Sequence, residues 1–365
     1  MAGVGLIAAA VLLNQRWLDR HFLPWFFLAR ERIVVIENAV RVAFAAAGVS
    51  LLIVVRPRVG RIAAESPSLL FSVALAVVLA LAAGELALRS IRIQPAAWLF
   101  PAQEPRRQRD ETLGWTLVPG RTGRKRIGGR EVEYAIDRSG YRVRRIDEPV
   151  DRQRAAILFT GESVMFGEGL TWDESIPAQV GRAAGVQSAN LAVQGYGNDQ
   201  AYLRLAADLP QFRHPIAIVS LFMTALFARN LEDDRPHLGP GLVWLPPYSR
   251  GRLASLAMVL IPYRTERDVE EGIATTRDVF RATIRLAASR DATPLIVVPQ
   301  LGPEDDVEHA LRTRILDEAA IPYLRIEIDP TWRVPHDRHP DARAAEAIAS
   351  AIAARLPRVV VPRLR

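Results

Sequence analysis

Beyond residue 154 the apolar positions form short continuous runs separated by stretches of helical period. Runs at 155–160, 188–193, 216–222, 294–298 and 323–328 predict strands. Patterns at about 173–184, 198–208, 275–289, 305–318 and 341–356 predict helices. This alternation predicts an α/β domain over 151–365, a parallel sheet with helices on both faces. Upstream, over 110–150, the pattern changes. Val132, Tyr134 and Ile136 alternate on one face, and Pro119-Gly120 and Gly128-Gly129 mark turns, so a small β-rich lead-in is expected. Residues 93–109 hold Pro, Gln and Arg and read as a linker. The first 92 residues are dominated by apolar runs. Residues 68–88 are long enough to span a bilayer and carry one charge, Glu85. A second span is predicted at 33–55, where Glu37 and Arg41 must face a partner or the interface. The run at 4–13 is too short to span and lacks a basic leader. About two transmembrane helices are therefore expected, with Trp17, Trp25, Phe26 and Phe27 suited to an aromatic belt.

Charge follows the same division. The chain carries a formal charge of +7, all of it within the first 109 residues, while the remainder balances. The basic excess flanks apolar runs, which points to a lipid bilayer and gives no sign of a nucleic-acid partner. Arg56, Arg58 and Arg61 place the loop between the spans in the cytoplasm, whereas Arg89, Arg92, Arg106, Arg107 and Arg109 argue for the opposite orientation. Lys125 is the only lysine. Without cysteine, disulfides, thiolate metal sites and a Cys nucleophile are excluded. The six His are scattered, no phosphate loop or dinucleotide fingerprint occurs, and no metal or cofactor is expected.

The chemistry concentrates at two places. After the strand at 155–160 comes Gly161-Glu162-Ser163, a turn that would hold a serine hydroxyl at the carboxyl edge of the sheet. Near the other end, Asp337-Arg338-His339-Pro340 precedes the last helical pattern. A serine in a strand-to-helix turn with a late Asp and His are the parts of a nucleophilic triad. The plainer readings are that Ser163 caps a helix, that His339 flanks one, and that Asp337 is a loop carboxylate.

These blocks resemble the SGNH (GDSL-type) hydrolase family, in particular its bacterial membrane-anchored members. Gly161-Glu162-Ser163 matches the family's Gly-Asp-Ser. Asn190-Leu191-Ala192-Val193-Gln194-Gly195 matches the block that supplies an oxyanion glycine, at Gly195, and Asp337 and His339 match the final block. The resemblance covers about 110–365, including Leu113-Gly114-Trp115 in the lead-in. It implies a flavodoxin-like three-layer α/β/α fold. It also implies Ser163 as nucleophile, His339 as base, Asp337 as orienting carboxylate, and the N–H groups of Ser163 and Gly195 as oxyanion donors. The third block departs: Ala225 falls where the family carries an oxyanion Asn. Thr224, Asn198 or Asn230 are the candidate replacement donors, although Asn198-Asp199 reads first as a helix cap.

The long connection over 231–272 holds Trp244, Tyr248 and the apolar run 253–262. It reads either as a cover over Ser163, with aromatics able to stack on a sugar, or as a helix docked on the sheet or membrane. The resemblance implies an esterase or O-acyltransferase taking an acyl ester, such as an O-acetyl group on an envelope polysaccharide, outside a bacterial inner membrane. Ala225 favours the alternative of a degenerate domain that binds a glycan or protein partner without turnover. The apolar run suggests a third, lipase-like role.

Overall fold

The computed structural model describes residues 2–24, 26, 30–90, 104–261 and 263–356. Trp25, Phe27 and most of the expected linker lie outside them. By contacts the chain divides into two compact units, Met1–Pro101 with Ser249–Glu266, and Ala102–Tyr248 with Arg267–Arg365.

The first unit is helical. Two of its helices, Arg30–Ile62 and Ser68–Ser90, are long and apolar enough to cross a membrane. The short run near the start forms the helix Ala2–Leu12 and crosses the helix Arg30–Ser50 at two glycines. A Cβ on Gly48 would come 2.7 Å from the Gly3 carbonyl, so only hydrogen permits this approach. Two of the charges inside the apolar stretches, Arg41 and Glu85, find backbone partners. Arg41 Nε donates to the Ala10 carbonyl at 2.8 Å. Glu85 accepts the Arg252 and Leu253 N–H groups at 2.8 and 2.9 Å, at the start of the helix Arg252–Leu260. That contact fixes the 253–262 run within this unit. Trp17 stacks on Tyr263 with ring centroids 5.8 Å apart.

The second unit is mixed α/β. Its strands are β1 (Arg107–Asp110), β2 (Gly114–Leu117), β3 (Arg121–Ile127), β4 (Arg130–Ile136), β5 (Arg142–Val143), β6 (Ala155–Thr160), β7 (Gln187–Asn190), β8 (His214–Leu221), β9 (His237–Leu238), β10 (Trp244–Leu245), β11 (Thr293–Leu301) and β12 (Tyr323–Ile328). Strands β1–β2 and β9–β10 form small hairpins, and the other eight make one sheet in the order β12-β11-β8-β6-β7-β5-β4-β3. The five strands β6, β7, β8, β11 and β12 are mutually parallel, with the doubly wound order 2-1-3-4-5. Of the strands before residue 150, β3, β4 and β5 extend this sheet. Its strand β5 pairs antiparallel with β7 through Arg142 and Asn190.

Central β6 is buried from Ala156 through Thr160, as a strand covered on both faces must be. On one face Leu158 and Ile218 pack with Leu205 and Ala287, from the helices Asn198–Asp208 and Glu266–Ala288. The helices Ile176–Ala184 and Ala342–Arg355 pack on each other and against β7 and β12. Right-handed crossovers in this order put them on the opposite face. The carboxyl edge of the parallel strands is left to loops.

Candidate active site

Gly161 ends β6 at φ +151°, where a Cβ would meet Leu221 Cβ at 3.0 Å and Met165 Cβ at 3.2 Å, so glycine is required. The chain then turns into the four-residue helix Ser163–Phe166, which Gly167 closes in the left-handed region. Buried Arg142 holds the exit of this turn. Its Nη1 donates to the carbonyls of Phe166 and Gly167 at 2.5 and 2.8 Å, and its Nη2 to Leu170 at 2.6 Å. The guanidinium lies 4.8 Å from the ring centroids of both Tyr134 and Phe166. Burial pushes its pKa down to about 10, and nearby Tyr134 and Glu168 limit the fall. The lead-in thus braces the serine turn.

After β12 the chain doubles back in a tight turn. The Val334 N–H donates to the His339 carbonyl at 2.9 Å, the Asp337 N–H to Val334 at 3.0 Å, and His336 takes a left-handed φ of +59°. The β3–β4 turn leans on this loop. A Cβ on Gly128 would lie 2.6 Å from Val334 Cγ1. The turn lets residues only two apart meet: Asp337 Oδ1 accepts the His339 N–H at 2.8 Å and lies 2.5 Å from His339 Nδ1. His339 Nε2 then lies 2.8 Å from Ser163 Oγ, across 176 residues of sequence. The tautomer with its proton on Nδ1 donates to Asp337 and leaves Nε2 as an acceptor facing the serine. Burial raises the Asp337 pKa, but hydrogen bonds from His339, its charge and that of Lys125 outweigh it and hold the value near 2. Asp337 is therefore ionised at neutral pH.

Ser163 has a second neighbour. Its Oγ donates to Glu162 Oε2 at 2.6 Å, and the same oxygen accepts the Val164 N–H at 3.0 Å as the helix cap. One hydroxyl proton cannot serve both Glu162 and His339, so the two compete for it. The one-methylene difference between Glu162 and the Asp of the resembled Gly-Asp-Ser block is the sequence signal for this contact.

The Ser163 and Gly195 N–H groups meet no acceptor among the described residues. The candidate replacements for an oxyanion Asn are engaged elsewhere. Thr224 Oγ1 donates to Glu308 at 3.4 Å, Asn198 Nδ2 to the Leu221 carbonyl at 2.9 Å, and Asn230 Nδ2 to Asn198 Oδ1 and Thr276 Oγ1, both at 3.0 Å. Ala225 sits half-buried in the 3-10 helix Thr224–Leu231. Nor is Asn198-Asp199 a cap: Gly197 holds that position, because both side chains reach outside the helix and Asp199 pairs with buried Arg235 at 2.9 Å. Asn198 and Asn230 line a small polar cavity with Glu162 and Gly161. Trp244 is exposed and donates to the Thr112 carbonyl at 3.2 Å, and Tyr248 is exposed; no hydrogen bond links Trp244 to Ser163 or His339. Among the described residues no cluster could hold a metal ion.

Against known proteins, no family model and no curated protein matches the chain. Among solved structures it is similar to a G-D-S-L family protein from Desulfitobacterium hafniense DCB-2, at 13% identity and a TM-score of 0.36, over 55% of this chain and 98% of that one. It is also similar to an acetyl xylan esterase from the rumen bacterium Butyrivibrio proteoclasticus, at 12% identity and a TM-score of 0.35, over 57% and 64%. A third is a carbohydrate esterase family 2 enzyme with a carbohydrate-binding domain from Corynascus thermopiles, at 13% identity and a TM-score of 0.33, over 59% and 68%.

Proposed function

We propose that the chain is a membrane-anchored serine esterase or acyltransferase of the SGNH type, with Ser163 as nucleophile. The observation that carries this reading is the continuous relay from Ser163 Oγ to His339 Nε2 at 2.8 Å and from His339 Nδ1 to Asp337 at 2.5 Å. Ser163 attacks an acyl carbonyl and His339 takes its proton, while ionised Asp337 holds the tautomer and the imidazolium that forms. The N–H groups of Ser163 and Gly195 receive the oxyanion. His339 then protonates the leaving alcohol. Water completes hydrolysis of the acyl-enzyme, and a second alcohol completes a transfer. The substrate is an acyl ester, with an O-acetyl group on an envelope polysaccharide as the favoured case. The two apolar helices would anchor the chain in a bacterial inner membrane, with the second unit outside the cytoplasm.

The 2.6 Å hydrogen bond from Ser163 to Glu162 favours a second reading, a domain whose serine is held inactive and which binds a glycan or protein partner. A fluorophosphonate probe on the full chain in detergent separates the two. The esterase reading expects labelling that disappears in Ser163→Ala and His339→Ala. A folded wild-type protein that takes no label supports the binding domain.

A further inference from the structure

Two guanidinium groups flank the proposed oxyanion residues, exposed Arg107 and half-buried Arg229. Arg107 begins β1 and rests on Trp115, with Cζ 5.7 Å from the ring centroid. Its Nη1 lies 3.4 Å from where a Cβ on Gly195 would sit, beside Trp115 Cζ2 at 3.3 Å. Among the described residues Arg107 makes no hydrogen bond or ion pair. Glu168, the carboxylate that attracts it, is already held by Lys125 and Gln194. Arg229 comes from the 3-10 helix after β8. Its Nη1 is buried without an acceptor, 4.0 Å from Glu162 Oε2, the oxygen that contacts Ser163. Its backbone is fixed, because its carbonyl accepts Arg235 Nη2 at 2.6 Å and its neighbour Asn230 is tied to Asn198. The two cations sense each other. Dehydration by the surrounding protein and the charge of Arg229 hold the Arg107 pKa below the usual guanidinium value, although Glu168 opposes them.

The charges around Ser163 otherwise pair: Asp337 with His339, Glu168 with Lys125, and Glu162 with Arg229 at long range. Arg107 is the surplus. A neutral substrate would leave the buried Arg229 Nη1 unsatisfied, which is costly, while exposed Arg107 would keep only water as its partner. A carboxylate or phosphate would accept from both forks and needs the planar, multi-donor geometry that arginine offers. We infer that Arg107 and Arg229 form a subsite for an anionic group on the substrate, so that the ester cleaved at Ser163 carries a carboxylate or phosphate close to its acyl carbon. This inference rests on the proposed esterase reading.

The test compares isosteric esters on the full chain in detergent. Mono(4-nitrophenyl) adipate against 4-nitrophenyl hexanoate places the anion on the acyl side. Acetylated 4-hydroxybenzoate against phenyl acetate places it on the alcohol side. The anionic member of one pair should have the higher kcat/KM by roughly ten- to a hundredfold, the worth of one or two charge-assisted hydrogen bonds. Raising salt should shrink that ratio. Arg107→Met should bring it close to one and Arg229→Met should reduce it, whereas Arg109→Met, on the same strand, should leave it unchanged. If no ester turns over, protection against fluorophosphonate labelling by each pair reads the same preference. Labelling or turnover with no anion preference, or a preference that survives both substitutions, overturns the subsite and leaves the esterase intact. No labelling and no turnover overturns both.

Discussion

The two units turn their apolar residues in opposite directions. In the first, Val42, Ile53 and Phe71 each leave 70% of their surface uncovered, while Leu158, Phe159 and Val219 in the second leave none. Apolar surface of the first kind is stable against lipid or another protein and not against water. Polar groups follow the same inversion. In the first unit, Arg41 and Glu85 satisfy the free ends of neighbouring helices, a device that hides backbone groups from an apolar surrounding. In the second, buried Arg142, Arg235 and His339 do local work at the carboxyl edge of the sheet, where they position loops and one hydroxyl. A buried charge is costly in either setting. The first unit uses half-buried charges to join helices, and the second uses buried ones at the carboxyl edge of its sheet.

Substitutions can sharpen or break this contrast. The largest effect is expected at the relay. Ser163→Ala and His339→Ala should each lower 4-nitrophenyl acetate hydrolysis by at least about a thousandfold, and a stopped assay on each variant reads it. Next is Arg142→Met, which removes the guanidinium donors from the Phe166, Gly167 and Leu170 carbonyls. It should destabilise the second unit by about 3 kcal/mol in urea, read by tryptophan fluorescence.

A smaller effect comes from pH. The Asp337 pKa is lowered to about 2 in the fold, from an ordinary value of 3.8, so its stabilisation is complete above pH 4 and is lost as pH falls toward 2. That span corresponds to about 2 kcal/mol, and Asp337→Asn should flatten this acid limb of the stability curve. Smaller again, Glu162→Asp should pull the competing carboxylate away from Ser163. A rate roughly three- to tenfold higher at neutral pH is expected, the worth of one hydrogen bond. An unchanged or lower rate would instead give Glu162 an active part in the reaction. The smallest effect on chemistry is expected from Gly48→Leu. It should disrupt the helix crossing in the first unit yet leave the hydrolysis rate within about twofold, a split that detergent stability and turnover measured together would show.

Periodicity revealed the five parallel strands, because a strand buried on both faces leaves a continuous apolar run whatever surrounds it. The helix Asn198–Asp208 lies where its pattern predicts. Other parts were hidden for physical reasons. Period tells which face of an element is covered but not by what, so Arg142 gripping carbonyls more than twenty positions away left no local trace. The apolar run at 253–262 has the composition of either a core or an anchor helix, and only its contact with Glu85 assigns it to the first unit. Strands β3, β4 and β5 lie within 110–150, where alternation shows, yet the pairing of β5 with β7 is a long-range choice that alternation cannot encode. At the site, Ser163, Asp337 and His339 were legible because each lies at a strand end or before a helix, in a recognisable block. The contacts of Glu162, Arg107 and Arg229 were not, since they depend on where a long side chain ends.

The most direct test of the central claim is to trap the acyl-enzyme. The full chain in detergent is mixed with 4-nitrophenyl acetate, quenched in acid and digested, and its peptides are weighed. An early burst of nitrophenol is expected, with one acetyl group on the peptide containing Ser163, both absent in His339→Ala. A folded protein that shows neither burst nor acetylation, or that carries the acetyl group elsewhere, would contradict the claim.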